Sequence, residues 1–241
     1  MRVLAFDTAT ALTAVALQDI DDEANACLRE VVDLAAVDEP VPGGRPNHAR
    51  RLLALVHELL EGSGAGWERV DRLAVGIGPG TFTGLRIGIA TAQALATSTG
   101  LPLVGVSSLR ALALGSAAHQ RPVLAVLDAR RGEAYLAGWA PGQDPLDAQG
   151  AWPAQVLSPE RLALIAAQAA QRHGHPLAVG DGAVRYRAAL ESAGVEVPPD
   201  HSVRHRISAR QHCRIAALAT PAAASVEPDY LRAPDAEPVH G

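Results

Sequence analysis

The sequence predicts an α/β fold built from two related halves. Three observations carry this: short apolar strands in antiparallel sequence open the chain, strands and amphipathic helices alternate after them, and the opening strand–Asp–turn–strand plan returns halfway along. At 241 residues, with 48% hydrophobic and 20% charged side chains, the chain has a globular composition and length enough for one large domain or two small ones. The aromatic share is only 3%, so small aliphatic side chains are expected to fill the core.

The first strand spans 2–7 and ends in Asp7. A turn at 8–12 leads to a strand over 13–17, an acidic bend at 19–23 and a third strand around 27–33. DEPVPGGRPN (38–47) reads as a loop. Over 48–60, Leu52, Leu55, Val56, Leu59 and Leu60 share one helical stripe, and the glycines at 62, 64 and 66 end that helix. A strand at 73–77 enters the stretch VGIGPGTFTGLRIGIATAQALA (75–96), whose second half is helical. Next come a strand at 101–106 and a helix reaching about 119, N-capped by Ser107 or Ser108.

VLAVLDARRGEAYLAGW (123–139) repeats the plan of VLAFDTATALTAVAL (3–17), with Asp128 in the place of Asp7. After it are expected a loop at 141–153, helices at 158–172, 186–192 and 208–218, and a strand at 177–179 leading into Gly180-Asp181-Gly182. The expected division is a first half over 1–106, a second over 107–220 and a partly disordered tail over 221–241.

Charge narrows the function. The net charge is −5 and all 21 basic residues are arginine. Without lysine there is no Schiff base, no P-loop phosphate lysine and no Ser-Lys dyad. A mildly acidic chain is a poor footprint for autonomous nucleic-acid binding. The two cysteines, Cys27 and Cys213, make neither a disulfide framework nor a metal spacing. The opening MRVLAFD reads as a strand rather than a signal peptide, no apolar run approaches a membrane span, and the cytoplasm is the expected compartment.

The glycine stretch poses the sharpest choice. It fits neither the P-loop nor the dinucleotide spacing, which leaves a generic anion nest as the phosphate alternative. Gly80, Gly84, Gly88, Ala92 and Ala96 fall at every fourth position, one smooth ridge on a helix. Interior helical glycine costs about 1 kcal/mol against alanine, so close packing against another backbone is the compensating reason. Whether that backbone belongs to this chain or to a partner stays open on the residues alone.

His48 and His57 project from opposite sides of their helix and no two-histidine metal spacing occurs, so His48 is expected in a polar contact at the helix start. Asp7 stands open between holding a magnesium ion through water and capping its own turn; for Asp128 the turn is preferred. Arg130, Arg131 and Glu133 fit a solvated hairpin tip, with contact to a phosphate or a subunit as the alternative. The basic run from His201 through Arg204, Arg206 and Arg210 to Arg214 fits a solvated helix start, with contact to RNA as the alternative. No Gly-x-Ser-x-Gly elbow or motif-placed Cys–His pair assembles a nucleophile.

LAFDTAT (4–10), NHARRLLALVHELL (47–60), GIGPGTFTGLRIGIATAQALA (76–96), VLDARRGEAYLA (126–137), VGDGA (179–183) and PDYLR (228–232) together resemble the TsaB (YeaZ) family, in family order and over nearly all of 1–232. The resemblance implies an actin/sugar-kinase-like, duplicated ribonuclease-H-like fold with mixed sheets flanked by helices. It also implies a non-catalytic role in making N6-threonylcarbamoyladenosine in tRNA. Its implied partners are TsaD as a heterodimer, TsaE as a third component, a second copy of the chain when TsaD is absent, and tRNA only through the complex. The catalytic paralogue's His-x-x-x-His metal motif is missing, since Leu52 follows His48 by four; no metal, cofactor or catalytic residue is expected.

The family's partner face maps onto His48, Leu52, Leu55, Leu59, Thr81, Phe82, Gly84, Leu85, Gly88 and Ala92, so the resemblance places the ridge at a subunit boundary. Asp7, Thr8, Asp128, Arg131 and Asp181 would be remnants of a nucleotide cleft. The loop before His48 is longer than the family's usual one, and the basic run at 204–214 belongs to none of its signatures. The rival functions are a nucleotide-dependent or peptidase-like enzyme in the cleft between the halves, and a direct tRNA-binding module.

Overall fold

The computed structural model describes residues 1–20, 32–41, 44–64, 66–116, 120–146, 150–221 and 225–231. The first sheet contains β1 (Arg2–Asp7), β2 (Thr13–Asp19), β3 (Asp33–Asp38), β4 (Arg72–Gly78) and β5 (Leu103–Ser107), in the order β3-β2-β1-β4-β5. β1–β2–β3 is an antiparallel meander, whereas β4 and β5 join in parallel. The second sheet contains β6 (Val123–Arg130), β7 (Glu133–Trp139), β8 (Trp152–Leu157) and β9 (Leu177–Val179), ordered β8-β7-β6-β9. Its pairings repeat those of β3-β2-β1-β4, antiparallel along the meander and parallel between β6 and β9. The same topology twice is the duplicated ribonuclease-H-like plan.

Among the described residues seven α-helices join the strands: α1 (His48–Gly62), α2 (Phe82–Thr99), α3 (Ser108–Gly115), α4 (Pro159–His173), α5 (Asp181–Arg185), α6 (Arg187–Ser192) and α7 (Ala209–Leu218). The strand period of two sorts the core. Leu4, Phe6, Val15 and Leu17 face α1 and α2, while Val3, Ala5, Ala14 and Ala16 face α3 and α7. With both faces covered, β1 reads as an unbroken apolar run rather than an alternating one. α3 lies between the sheets: Ala111 and Leu114 serve the first core, Leu109, Leu112 and Ala113 the second. The Ser107 side chain caps its start by accepting from the Arg110 N–H.

Three expectations need adjustment. The third strand lies at Asp33–Asp38 rather than around 27–33, and 27–31 fall outside the described residues. β8 begins inside the expected loop, and α5 precedes the helix expected at 186–192. In the expected tail, 222–224 and 232–241 lie outside the described residues, but 225–231 are packed down: Val226 is buried in the first core and the Asp229 N–H donates to the Ile77 carbonyl at 2.8 Å.

Candidate functional site

Asp7 ends β1 and is enclosed, at 1% exposure. Its Oδ1 accepts the Ala9 N–H at 2.7 Å, the Asx turn set against metal binding above. Its Oδ2 accepts the Ser108 hydroxyl at 2.6 Å and faces His212 Nε2 at 2.9 Å. Burial pushes the carboxyl's pKa up, but the hydrogen bond and charge of His212, aided by Ser108 and the Ala9 N–H, outweigh that and hold it below the ordinary aspartate value. Both oxygens are occupied by this chain's own donors.

Ser, Asp and His here do not make a nucleophile. A hydrolytic triad needs the imidazole between the hydroxyl and the carboxylate, so that it can take the hydroxyl's proton. Here the carboxylate is central, Ser108 and His212 share its one oxygen, and all three are buried. The arrangement ties α3 and α7 to the end of β1.

The second half's aspartate is built differently. Asp128 Oδ1 accepts the Arg130 N–H at 2.9 Å, closing its own turn, and Oδ2 stands 3.3 Å from both Arg130 and Arg185. Asp181 opens α5 and accepts the Asp128 N–H at 3.0 Å. Arg131 is exposed at the hairpin tip, where Arg130, Arg131 and Gly132 all take left-handed backbone (φ 62°, 52° and 81°). Asp7 and Asp128 thus have separate partner sets. A cleft of about 390 Å³ between the halves is lined by residues that include Thr10, Glu39, Asp181, Asp200, His205 and Arg206; Asp7 does not line it.

The glycine ridge is answered inside the chain. A Cβ on Gly84 would lie 2.0 Å from the Thr8 carbonyl oxygen, one on Gly88 2.4 Å from Thr8 Oγ1, and one on Gly80 2.3 Å from the Ala9 carbonyl oxygen. Thr8 Oγ1 donates to the Gly84 carbonyl at 2.8 Å, and the Thr81 N–H donates to Ala9 at 2.7 Å. The close backbone is the β1–β2 turn. Of the ten residues mapped to a partner face, His48, Leu52, Leu55, Leu59, Gly84, Leu85, Gly88 and Ala92 are buried within the chain, Thr81 is half-buried and only Phe82 is exposed. Those eight residues face the core of this chain.

His48 makes a polar contact at the start of α1, its Nδ1 2.8 Å from Thr13 Oγ1, and burial holds its pKa below the usual imidazole value. The basic run is partly committed: Arg206 pairs with Glu39 at 2.9 Å, Arg210 with Asp33 at 2.6 Å, and buried His205 faces the Gly180 and Pro198 carbonyls. The two ion pairs fasten this run to β3 and its following loop.

What α1 and α2 present outward is nearly uncharged along α2. Thr83, Ala90 and Ala94 are exposed and Ile87 half-exposed, an i, i+4, i+7, i+11 stripe beside the buried ridge. The one charge on the exposed positions of α2 is Arg86, whose guanidinium lies 3.7 Å over the Phe82 ring. On α1 the outward residues include Ala49, Arg50, Leu53 and His57; Leu53 is 53% and Phe82 49% exposed. Tyr230 of the tail stacks on Phe82 at 5.8 Å.

Comparison with known proteins gives a consistent set. The family described as TsaD, tRNA N6-adenosine threonylcarbamoyltransferase, matches residues 44–174. The tRNA threonylcarbamoyladenosine biosynthesis protein TsaB of Escherichia coli K12 is 38% identical over 192 residues, 76% of this chain and 72% of that protein. The Haemophilus influenzae protein of the same name is 36% identical over 56% of this chain and 52% of its own length. Among solved structures, a Pseudomonas aeruginosa protein described as similar to peptidase YeaZ superposes with a TM-score of 0.72 at 30% identity, covering 96% of this chain and 99% of that one. YeaZ from Pseudomonas aeruginosa superposes with a TM-score of 0.67 at 29% identity over 90% of each chain. Sequence identity across most of both chains, and the same architecture throughout, establish that this chain belongs to the TsaB (YeaZ) family.

Proposed function

We propose that this chain is a non-catalytic subunit for N6-threonylcarbamoyladenosine formation in tRNA, and that it binds and activates TsaD through the outward face of α1 and α2. The observation that carries the proposal is the α2 stripe of Thr83, Ile87, Ala90 and Ala94, small or apolar and without a charge. A surface helix normally turns its polar side to water; here that side suits a partner helix at the 8–10 Å separation of close helix packing. α1 packs beside α2 over the β2–β3 side of the sheet, and the tail lies along the β5 side, so the stripe is framed but uncovered.

The state of Asp7 supports the non-catalytic part. Asp7, the acid that would anchor a nucleotide's metal ion, has both oxygens engaged by Ala9, Ser108 and His212. A net charge of −5 and the pairing of Arg206 and Arg210 with acids favour tRNA being held by the complex rather than by this chain; membership of the family extends the proposal to the cytoplasm and to TsaE as the third component. The same stripe would serve a homodimer when TsaD is absent.

The test is association with TsaD of the same organism, by light scattering, for the wild type and for Ala90→Glu with Ala94→Glu. Both alanines are exposed, so the variant should fold with a stability change within about 0.5 kcal/mol each. Loss of the heterodimer in the folded variant supports the face. Undiminished pairing in the variant, or a wild type that stays alone, overturns it.

A further inference from the structure

Charge is unevenly matched on the outward side of α1 and α2. Arg51 is paired with Asp38 and Glu58, and His57 with Glu61. Arg50 and Arg86 are both exposed, and among the described residues neither has a carboxylate in ion-pair contact. α2 contains no acid at all. On a chain of net charge −5, the unmatched charges of this face are therefore both positive.

Arg86 is held in place before any partner arrives. Its guanidinium carbon lies 3.7 Å over the Phe82 ring, a cation–π contact. Its Nε donates to the Tyr230 hydroxyl at 3.3 Å, and Tyr230 stacks on Phe82 with the ring planes 27° apart. The tail delivers Tyr230 to this spot, fastened by Asp229 N–H on the Ile77 carbonyl and by Gln93 Nε2 on the Val226 carbonyl. One flat side and the Nε edge of the guanidinium are thus engaged, while Nη1 and Nη2 have no partner among the described residues.

The tail's own acids do not supply one. Glu227 follows Val226, which is held at Gln93, two turns or about 10 Å along α2 from Arg86. Asp229 has a pKa raised by burial, with no neighbouring cation acting on it.

A planar guanidinium with two parallel N–H groups matches a carboxylate in two-point contact. Fixing its plane in advance lowers the ordering cost of binding. Arg86 also borders the uncharged stripe, one turn before Ala90 and three residues after Thr83. Arginine and tyrosine are the residue types that most often dominate the energy of such interfaces.

Resting on the reading of this face as the TsaD-binding surface, we infer that Arg86 sets partner specificity: its Nη1 and Nη2 take a side-chain carboxylate of the partner protein. Phe82 and Tyr230 are its positioning residues, and Arg50 adds positive charge from α1. A protein with a neutral or basic side chain at that point is rejected, because docking would bury the guanidinium without a counter-charge.

The test is calorimetric titration of the full chain with TsaD of the same organism at about 50 and 300 mM NaCl. Wild type, Arg86→Met, Arg86→Lys and the Ala90→Glu, Ala94→Glu double variant are compared, each checked for folding by circular dichroism. Arg86→Met should weaken binding about tenfold or more and remove much of the wild type's salt dependence. Arg86→Lys keeps the charge without the fork, so it should retain the salt dependence yet bind about threefold or more weakly. Loss of pairing in the double variant with undiminished affinity in folded Arg86→Met leaves the face standing and overturns the carboxylate contact. Wild-type affinity in Arg86→Lys overturns the two-point geometry in the same way. Unchanged heterodimer formation in Arg86→Met with weaker tRNA binding by the complex would assign the arginine to a phosphate and also overturns it. Undiminished pairing in the double variant, or a wild type that stays alone, removes the face and this inference together.

Discussion

Thr8 holds α2 at two successive turns: its hydroxyl donates to the Gly84 carbonyl at 2.8 Å, and the same oxygen occupies the space a Gly88 Cβ would need. Gly88→Ala should therefore destabilise the fold by about 1–3 kcal/mol, as overpacking does. The clash is with one side-chain atom, so part of that loss should disappear in a Thr8→Ala background. Urea unfolding of the two single variants and the double variant measures the coupling. Gly84→Ala meets the Thr8 backbone instead, and Thr8→Ala should not rescue it.

Asp7→Asn keeps the shape of the carboxylate and removes its charge beside His212. Breaking a buried pair in this way costs about 3–5 kcal/mol. Because the folded pKa of Asp7 lies below the unfolded value, its contribution is complete above the unfolded value near 3.9 and is lost as pH falls through the folded one. The stability gap between wild type and variant, followed by thermal unfolding, should be constant near pH 7 and narrow in the acid limb.

His48 gives a dependence in a milder range. Its folded pKa is depressed by burial, so below about pH 6.5 the unfolded chain takes up a proton that the folded chain resists. Stability should fall as pH drops from 7 toward 5, and His48→Gln should flatten that slope. A slope unchanged by the substitution would place the titration elsewhere.

The tail should behave as part of the fold. Val226 is buried among the residues of the first core, and its Cγ1 lies 2.9 Å from where a Gly105 Cβ would stand. Val226→Ala should cost about 1–2 kcal/mol, and Val226→Asp considerably more. Limited proteolysis between 221 and 241 should accelerate in step with the loss.

Much of this architecture is legible in the residues. The α1 stripe from Leu52 to Leu60 is buried as its spacing predicts, and the repeat at Val123 does found a second sheet of the same topology. β8 escapes because WPAQVL carries Pro153 and lacks alternation, which an edge strand tolerates. The third strand is displaced because its place follows from its register with β2, Thr13 opposite Asp38. The stride of the ridge is plain in the sequence, but Thr8, which explains it, stands 76 residues before Gly84. The Asp7 cluster draws on residues 101 and 205 positions away, and no spacing rule spans such gaps.

That last distance bears on how the protein is made. α7 covers one face of the first sheet, bringing His212 to Asp7 and the Cys213 thiol to the Val3 carbonyl. Synthesis at about 5–20 residues per second puts roughly 10–40 s between translation of β1 and arrival of that helix. Throughout that interval the nascent first half has strands with one apolar side incompletely covered and an acid without its histidine. The ribosome must release nearly the whole chain before its opening strand is sealed, and until then the emerging polypeptide is a natural client for chaperones.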